Sequence, residues 1–413
     1  MSEKHKERVF NTREEFLKAI GAEKMPDNFG ADFLDTVIEF ETCGTPYLES
    51  DYLESLERDF GAFDDKYGFV MKCAALVREN ETAALYSLCA KKMIENRAPD
   101  EHPPLPELTG VSERDSLAFE MAPYFATVAF AYEIVNGHRA DGVPEDVIRA
   151  TLRHAYREPI CVSETRRGRE GFLVPSHFNW NIYFISREIL RVGVLNFEMR
   201  KGFTTFARVF ENKNGEYRLL VNGQKLAKDG RHGECAGCVP YITAEIEETD
   251  TEITGYGVDT HYALSTMKRI TLSKSEWREA IRPDGRVINV HIPATREFNR
   301  DTVAEAYKRV REIIKRSFPD YKDAPFVCTS WLMDPLLENY LKPDSNIIAF
   351  QSKYMRFPIK SSGTGIFPYL FGKSADTPIA DLPENTSLQR RIKELYLNGG
   401  YIYGGSGIFF YKD

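Results

Sequence analysis

Residues 286–293 read Arg286-Val287-Ile288-Asn289-Val290-His291-Ile292-Pro293, and the fold of the carboxy-terminal half follows from how this stretch starts and stops. Turn formers Pro283-Asp284-Gly285 precede it, its middle is apolar and β-branched, and Pro293 has no N–H to give to a sheet ladder. The spacing predicts a mostly buried strand that ends at His291. Beyond it Val303, Ala306, Tyr307, Val310, Ile313 and Ile314 recur at helical intervals. Either Asn299 or the pair Thr302/Glu305 can start that helix, and Pro319 stops it. A second apolar strand is expected over 325–332, a short helix from Asp334-Pro335 through Tyr340, and a third strand over 346–356. The order β-α-β-α-β makes 287–292 and 326–332 parallel neighbours, since a helical crossover joins them.

The rest of the chain is bounded by composition. Its 413 residues allow two or three domains at about 100 to 200 residues each, and 42% apolar content is enough for sizeable cores. Net charge is −8 with Lys and Arg scattered, which argues against nucleic acid and against a membrane surface as partners. The start Met1-Ser2-Glu3-Lys4-His5-Lys6 lacks an apolar leader core and no run of about 18 apolar residues occurs, so a cytoplasmic location is expected. Seven cysteines in so long a chain fit reduced thiols better than a disulfide framework.

From residue 12 to about 160 the pattern is helical. Thr12-Arg13-Glu14-Glu15 reads as a capping box, Ser112-Glu113-Arg114-Asp115 precedes a long apolar segment to Val135, and Pro144 sits at a helix start. After Arg166-Arg167-Gly168-Arg169 the texture becomes aromatic and β-branched, with turn signals at Asn214-Gly215, Asn222-Gly223 and Asp229-Gly230. The expected division is 1–165, helical, and 166–413, mixed α/β.

Several residues carry candidate chemistry. Cys235-Ala236-Gly237-Cys238 with His232 has the spacing of half a zinc site, but no second pair completes four ligands, so a glycine-rich loop is the preferred reading and no metal is expected. Arg166, Arg167 and Arg169 fit a solvated turn better than a phosphate site. His291 and Cys328 end or line adjacent strands, the arrangement a thiol hydrolase needs, although a cysteine inside a strand is usually an inert core residue. Tyr340 is either a packed residue on the face Leu336, Leu337, Tyr340, Leu341 or a phenol placed to protonate a thiolate leaving group.

Read jointly, His291-Ile292-Pro293, Cys328-x-Ser330-Trp331-Leu332-x-Asp334-Pro335, Ser345-Asn346-Ile347-x-x-Phe350-Gln351 and Leu382-Pro383-x-x-Thr386-x-Leu388-Gln389-Arg390 carry a resemblance. It extends upstream through Trp180 and Arg191-Val192-Gly193-Val194-Leu195-Asn196-Phe197-Glu198, and more faintly to Gly142-Val143-Pro144. Together these resemble bacterial acyltransferases in which a helical N-acyltransferase domain precedes a GNAT-like carboxy-terminal domain. The resemblance implies an α+β chain and an acyl-CoA donor and leaves the acceptor unassigned; transfer to a small amine is the leading expectation. In the wider superfamily a glycine-rich loop between a strand and a helix holds the CoA pyrophosphate. Here that position is Ala294-Thr295-Arg296-Glu297-Phe298-Asn299-Arg300, which has no glycine, so the helix start with Arg296 and Arg300 would supply the charge.

On this reading Ile292, Arg296, Asn299 and Arg300 bind CoA, His291 at the strand end is either the base that takes the amine proton or a structural clamp that satisfies nearby groups, and Tyr340 returns a proton to the CoA sulfur. Two alternatives stay open from the residues alone: a non-catalytic acyl-CoA binder with the altered loop, and a Cys328/His291 thiol hydrolase.

Overall fold

The computed structural model describes residues 9–24, 29, 30, 32–98, 101, 104–108, 111–203, 206–293 and 297–411. The chain divides into two units, Met1–Arg191 and Val192–Asp413. The division lies further along the chain than 165 because a further helix, Ser176–Ile185, still belongs to the first unit. Its sequence Ser-His-Phe-Asn-Trp-Asn-Ile-Tyr-Phe-Ile is rich in aromatic residues and alternates polar with apolar over Phe-Asn-Trp-Asn-Ile, a pattern that also fits a strand.

The first unit is helical. Thr12 accepts from the Glu15 N–H and Glu15 reaches back to the Thr12 N–H, so the expected capping box starts the helix Arg13–Ala19. The apolar segment after Ser112 forms Ser116–Val128 and Ala131–Ala140, and Pro144 caps Glu145–Tyr156. Arg167 and Arg169 both pair with Glu120, at 2.5 and 2.7 Å, and the Phe172 N–H adds a third donor to that carboxylate. The basic run is therefore part of an ion cluster rather than a freely solvated turn.

The second unit holds a mixed sheet. Its strands are β1 (Leu195–Lys201), β2 (Arg286–His291), β3 (Phe326–Ser330), β4 (Met355–Phe357) and β5 (Gly405–Phe409), in the spatial order β4-β5-β3-β2-β1. β2 and β3 pair in parallel and the other pairs within the five are antiparallel. The expected parallel neighbours are thus present, joined by helix α1 (Arg300–Ser317). Its apolar stripe packs on one sheet face, where Tyr307 meets Phe197, Phe326 and Phe409. The other face carries Val287, Val327, Phe357 and Ile408 and shares a core with Val209, Leu219 and Ile281 of a second, antiparallel sheet. Asn214-Gly215 turns the hairpin between Ala207–Asn212 and Tyr217–Val221, with Gly215 at φ +76°.

One element differs from expectation. Residues 346–356 are not a single strand but helix α2 (Asn346–Gln351) followed by β4. Ser345 accepts from the Ile347 N–H and starts the helix. A window this short with Ile347, Ile348 and Phe350 apolar satisfies either period, and the cap decides it. Among the described residues no helix is long and apolar enough to cross a membrane.

Candidate active site

The parallel ladder between β2 and β3 has the register Ile288 to Phe326 and Asn289 to Val327, and then the strands follow different partners. β2 continues along β1 until His291 opposes Asn196, whereas β3 continues along β5 until Ser330 opposes Gly405. The carboxyl ends of two parallel strands thus part in the middle of the sheet. This is where a chain can offer backbone N–H and C=O groups to a ligand.

Side-chain alternation then sorts the candidates. Val287, Asn289 and His291 share one face with Val327 and Thr329, and Glu198, opposite Asn289, joins them. Ile288 and Val290 share the other face with Phe326 and Cys328. His291 and Cys328 therefore lie on opposite sides of the sheet. Cys328 is 1% exposed, beneath α1 near Tyr307 and Tyr354, and burial pushes its thiol up to about 12. The Cys328/His291 thiol dyad, one of the alternatives open from the residues, does not form: the strand register separates its members and burial keeps the thiol protonated, so Cys328 is the inert core residue that its place in a strand predicts.

What His291 meets instead is Glu198, 2.8 Å from Nε2 to Oε2. Asn289 Nδ2 donates to the same carboxylate oxygen at 2.8 Å. Glu198 is 3% exposed, while the His291 side chain keeps 29% of its surface. Burial by itself favours the neutral acid, but the hydrogen bond and charge of His291, the bond from Asn289 and the charge of Arg200 outweigh it. The Glu198 pKa is held below its usual value. With Glu198 ionised, its Oε2 can only accept, so Nε2 is the nitrogen that donates to it. A buried, ionised carboxylate fixing the tautomer of a partly exposed histidine is the arrangement of an oriented base.

Glu198 is the residue that sequence reasoning missed. A charged residue in the otherwise apolar run Leu195-Asn196-Phe197-Glu198-Met199 was the available signal, but its partner is 93 positions away.

At the start of α1, Asn299 wins over Thr302/Glu305 as cap: its Oδ1 accepts from the Asp301 and Thr302 N–H groups at 3.0 and 3.1 Å. Thr302 Oγ1 in turn accepts from the Asn299 N–H at 3.2 Å. Beside this helix end lies a cavity of about 400 Å³, its wall including Asn299, Arg300, Val303, Asn346, Phe350 and Lys353. Asn346 Nδ2 donates to the Phe298 carbonyl at 3.0 Å and ties α2 to the approach loop. Asn299 and Arg300 are thus brought together at a positive helix end. Ile292 follows the end of β2, and Arg296 lies outside the described residues.

Tyr340 sits elsewhere, in a cluster with Leu337, Ile366 and Phe367, with the Arg391 guanidinium 5.2 Å from its ring centroid and donating to its carbonyl. The structure gives this ring a packing and cation–π partner. Among the described residues no group of three or more His, Cys, Asp or Glu is arranged to hold a metal. His232 Nδ1 accepts from the Glu234 N–H and the Cys235 thiol donates to the Ile359 carbonyl.

The motif residues Asp334 and Gln351 form a different kind of network. The 2% exposed Asp334 accepts from the N–H groups of Leu336, Tyr403 and Gly404. Gln351 donates to the carbonyls of Leu332 and Asp334 and accepts from Arg356 at 2.9 Å, and the buried Arg356 pairs with Glu338 at 3.2 Å. These contacts lock the turn after β3 to α2, β4 and the entry of β5.

Residues 189–409 match the family of GNAT-like C-terminal domains. Among solved structures, an acyltransferase variant in complex with octanoyl-CoA aligns with a TM-score of 0.60 and 15% identity, covering 97% of this chain and 99% of its own. An acyltransferase in complex with decanoyl-CoA and teicoplanin aligns with a TM-score of 0.60 and 16% identity over 96% of this chain and 98% of its own. At such identities the likeness is one of fold. No curated protein matches.

Proposed function

We propose that this chain, which belongs to the family of GNAT-like C-terminal domains, is an acyltransferase that moves an acyl group from a CoA thioester to an amine. The observation that carries the reading is the Glu198–His291 pair at the point where β2 and β3 part. The thioester would lie along β2, its carbonyl oxygen against a backbone N–H near His291, with the CoA phosphates at the start of α1 beside Arg300 and the cavity rim lysine Lys353.

The amine nitrogen attacks the thioester carbon as His291 takes its proton, with Glu198 stabilising the imidazolium. The tetrahedral intermediate then expels the CoA sulfur, which takes up the proton that His291 accepted. Positioning does most of the work, as in any transfer between two bound reactants. Support for acyl-CoA as donor comes from the two folds above, both of which hold an acyl-CoA. That one of them also holds teicoplanin favours an acceptor amine carried on a larger molecule over a small free one.

The test is thiol release from octanoyl-CoA or decanoyl-CoA in the presence of a panel of amines. Amine-dependent release that His291→Ala abolishes supports the reading. Binding of the acyl-CoA without release for any amine reduces the protein to a ligand binder.

A further inference from the structure

Cys235-Ala236-Gly237-Cys238 closes a tight turn. The Cys238 N–H donates to the Cys235 carbonyl at 2.9 Å, and Gly237 takes φ +72°. A turn of this kind keeps its first and fourth Cα atoms within about 7 Å. Disulfides span Cα separations of roughly 4.4 to 6.8 Å, so the backbone already holds the two cysteines at bridging range. The turn is clamped from both sides: the Ala236 N–H donates to the Ser361 carbonyl at 3.1 Å, and the Tyr403 hydroxyl donates to the Ala236 carbonyl at 3.0 Å.

Cys235 is buried and Cys238 half-exposed, the asymmetry that a two-step exchange requires. Cys235 also walls a cavity of about 240 Å³ with Arg231, Asp334, Glu338, Ile359 and Tyr403. Its thiol gives its proton to the Ile359 carbonyl at 3.3 Å.

We propose that Cys235 and Cys238 are a reversible dithiol/disulfide pair, oxidised by low-molecular-weight disulfides. The Cys238 thiolate attacks one sulfur of a disulfide RSSR, forming a mixed disulfide and releasing RS⁻, which takes up a proton. Cys235 then loses its proton to solvent and attacks the Cys238 sulfur, forming the internal bond and releasing the second RS⁻, protonated in turn. The sum converts two protein thiols and RSSR into one protein disulfide and two RSH. Burial pushes the Cys235 thiol up to about 11, which makes the more exposed Cys238 the point of entry. Oxidation removes the donor from the Ile359 carbonyl and changes the wall of the 240 Å³ cavity.

The experiment equilibrates the native protein with bis(2-hydroxyethyl) disulfide, alkylates with iodoacetamide, and reads intact mass and peptides. The expected result is a species lighter by about 2 Da, with Cys235 and Cys238 joined in one peptide and both restored to alkylation by dithiothreitol. Cys235→Ser should instead retain the hydroxyethyl adduct on Cys238. A wild-type protein that accumulates the stable adduct at Cys238, or that leaves both cysteines open to alkylation, overturns the proposal. So does a Cys235→Ser protein that undergoes the same mass loss.

Discussion

Two carboxylates in the carboxy-terminal unit are almost equally buried, Glu198 at 3% exposure and Asp334 at 2%, yet their surroundings are opposite in kind. Asp334 is held by three backbone N–H groups, and burial still outweighs those bonds, so its pKa is raised. Glu198 is held by the side chains of His291 and Asn289, and its pKa is lowered. Fixed amide dipoles anchor a chain but transfer nothing. A histidine that keeps part of its surface can gain and lose a proton while its acid partner stays charged. The difference separates a residue that ties loops together from one suited to acid–base work, although both belong to stretches that carry the family resemblance.

The comparison breaks first at His291. His291→Ala is expected to lower amine-dependent CoA release per folded molecule on the order of 100-fold or more, as removal of a positioned base does, a loss well beyond the fall in denaturation midpoint that follows from leaving buried Glu198 without this partner. An equal fall of rate and folded fraction would make His291 a structural clamp.

Asp334→Ala should show the converse. Three N–H groups would lose their acceptor, each costing about 1 to 3 kcal/mol if left dry, so a stability loss of about 3 kcal/mol or more is expected in a denaturant titration. Rate per folded molecule should be nearly kept. A stable but inactive Asp334→Ala protein would erase the distinction.

Glu198→Gln sharpens it further. Activity should fall roughly 10-fold or more, because the amide cannot stabilise the imidazolium as a carboxylate does. Stability against pH gives an independent reading with opposite signs for the two acids. Glu198, with its folded pKa below 4.5, contributes stability that is present above 4.5 and lost as pH falls through the folded value. Asp334, with its folded pKa above 3.8, binds its proton more tightly when folded, so its contribution is lost as pH rises from 3.8 through the folded value. Subtracting the Glu198→Gln and Asp334→Asn stability profiles from that of the parent should give slopes of opposite sign.

The smallest effect concerns the anion site. Arg300→Glu with Lys353→Glu should weaken CoA binding about tenfold by calorimetry, since both are exposed and act on phosphate at long range. Unchanged affinity would remove the start of α1 from the site.

Much of this was legible in the residues. Pro293, Asn299 and Pro319 mark the ends of β2 and α1 by local rules of backbone hydrogen bonding, and those rules held. Tyr340 could be read two ways because a phenol on an apolar face satisfies both packing and acid chemistry. Its neighbours Arg391 and Phe367 come from distant parts of the chain and are visible only in the structure. The third strand was misread because six residues do not separate a period of 2 from one of 3.6 when most of them are apolar.

By itself the sequence determined where elements start and stop, which of their faces are apolar, and that β2 and β3 run parallel. Those properties depend on neighbours within a few positions, on caps, turns and periodicity. The tertiary structure alone decided that His291 meets Glu198 and not Cys328. That outcome rests on the register between β1 and β2, and on the alternation that sends successive side chains of β2 and β3 to opposite faces. A shift of one residue in either ladder would exchange the partners, and no local signal records which register a long-range pairing will take.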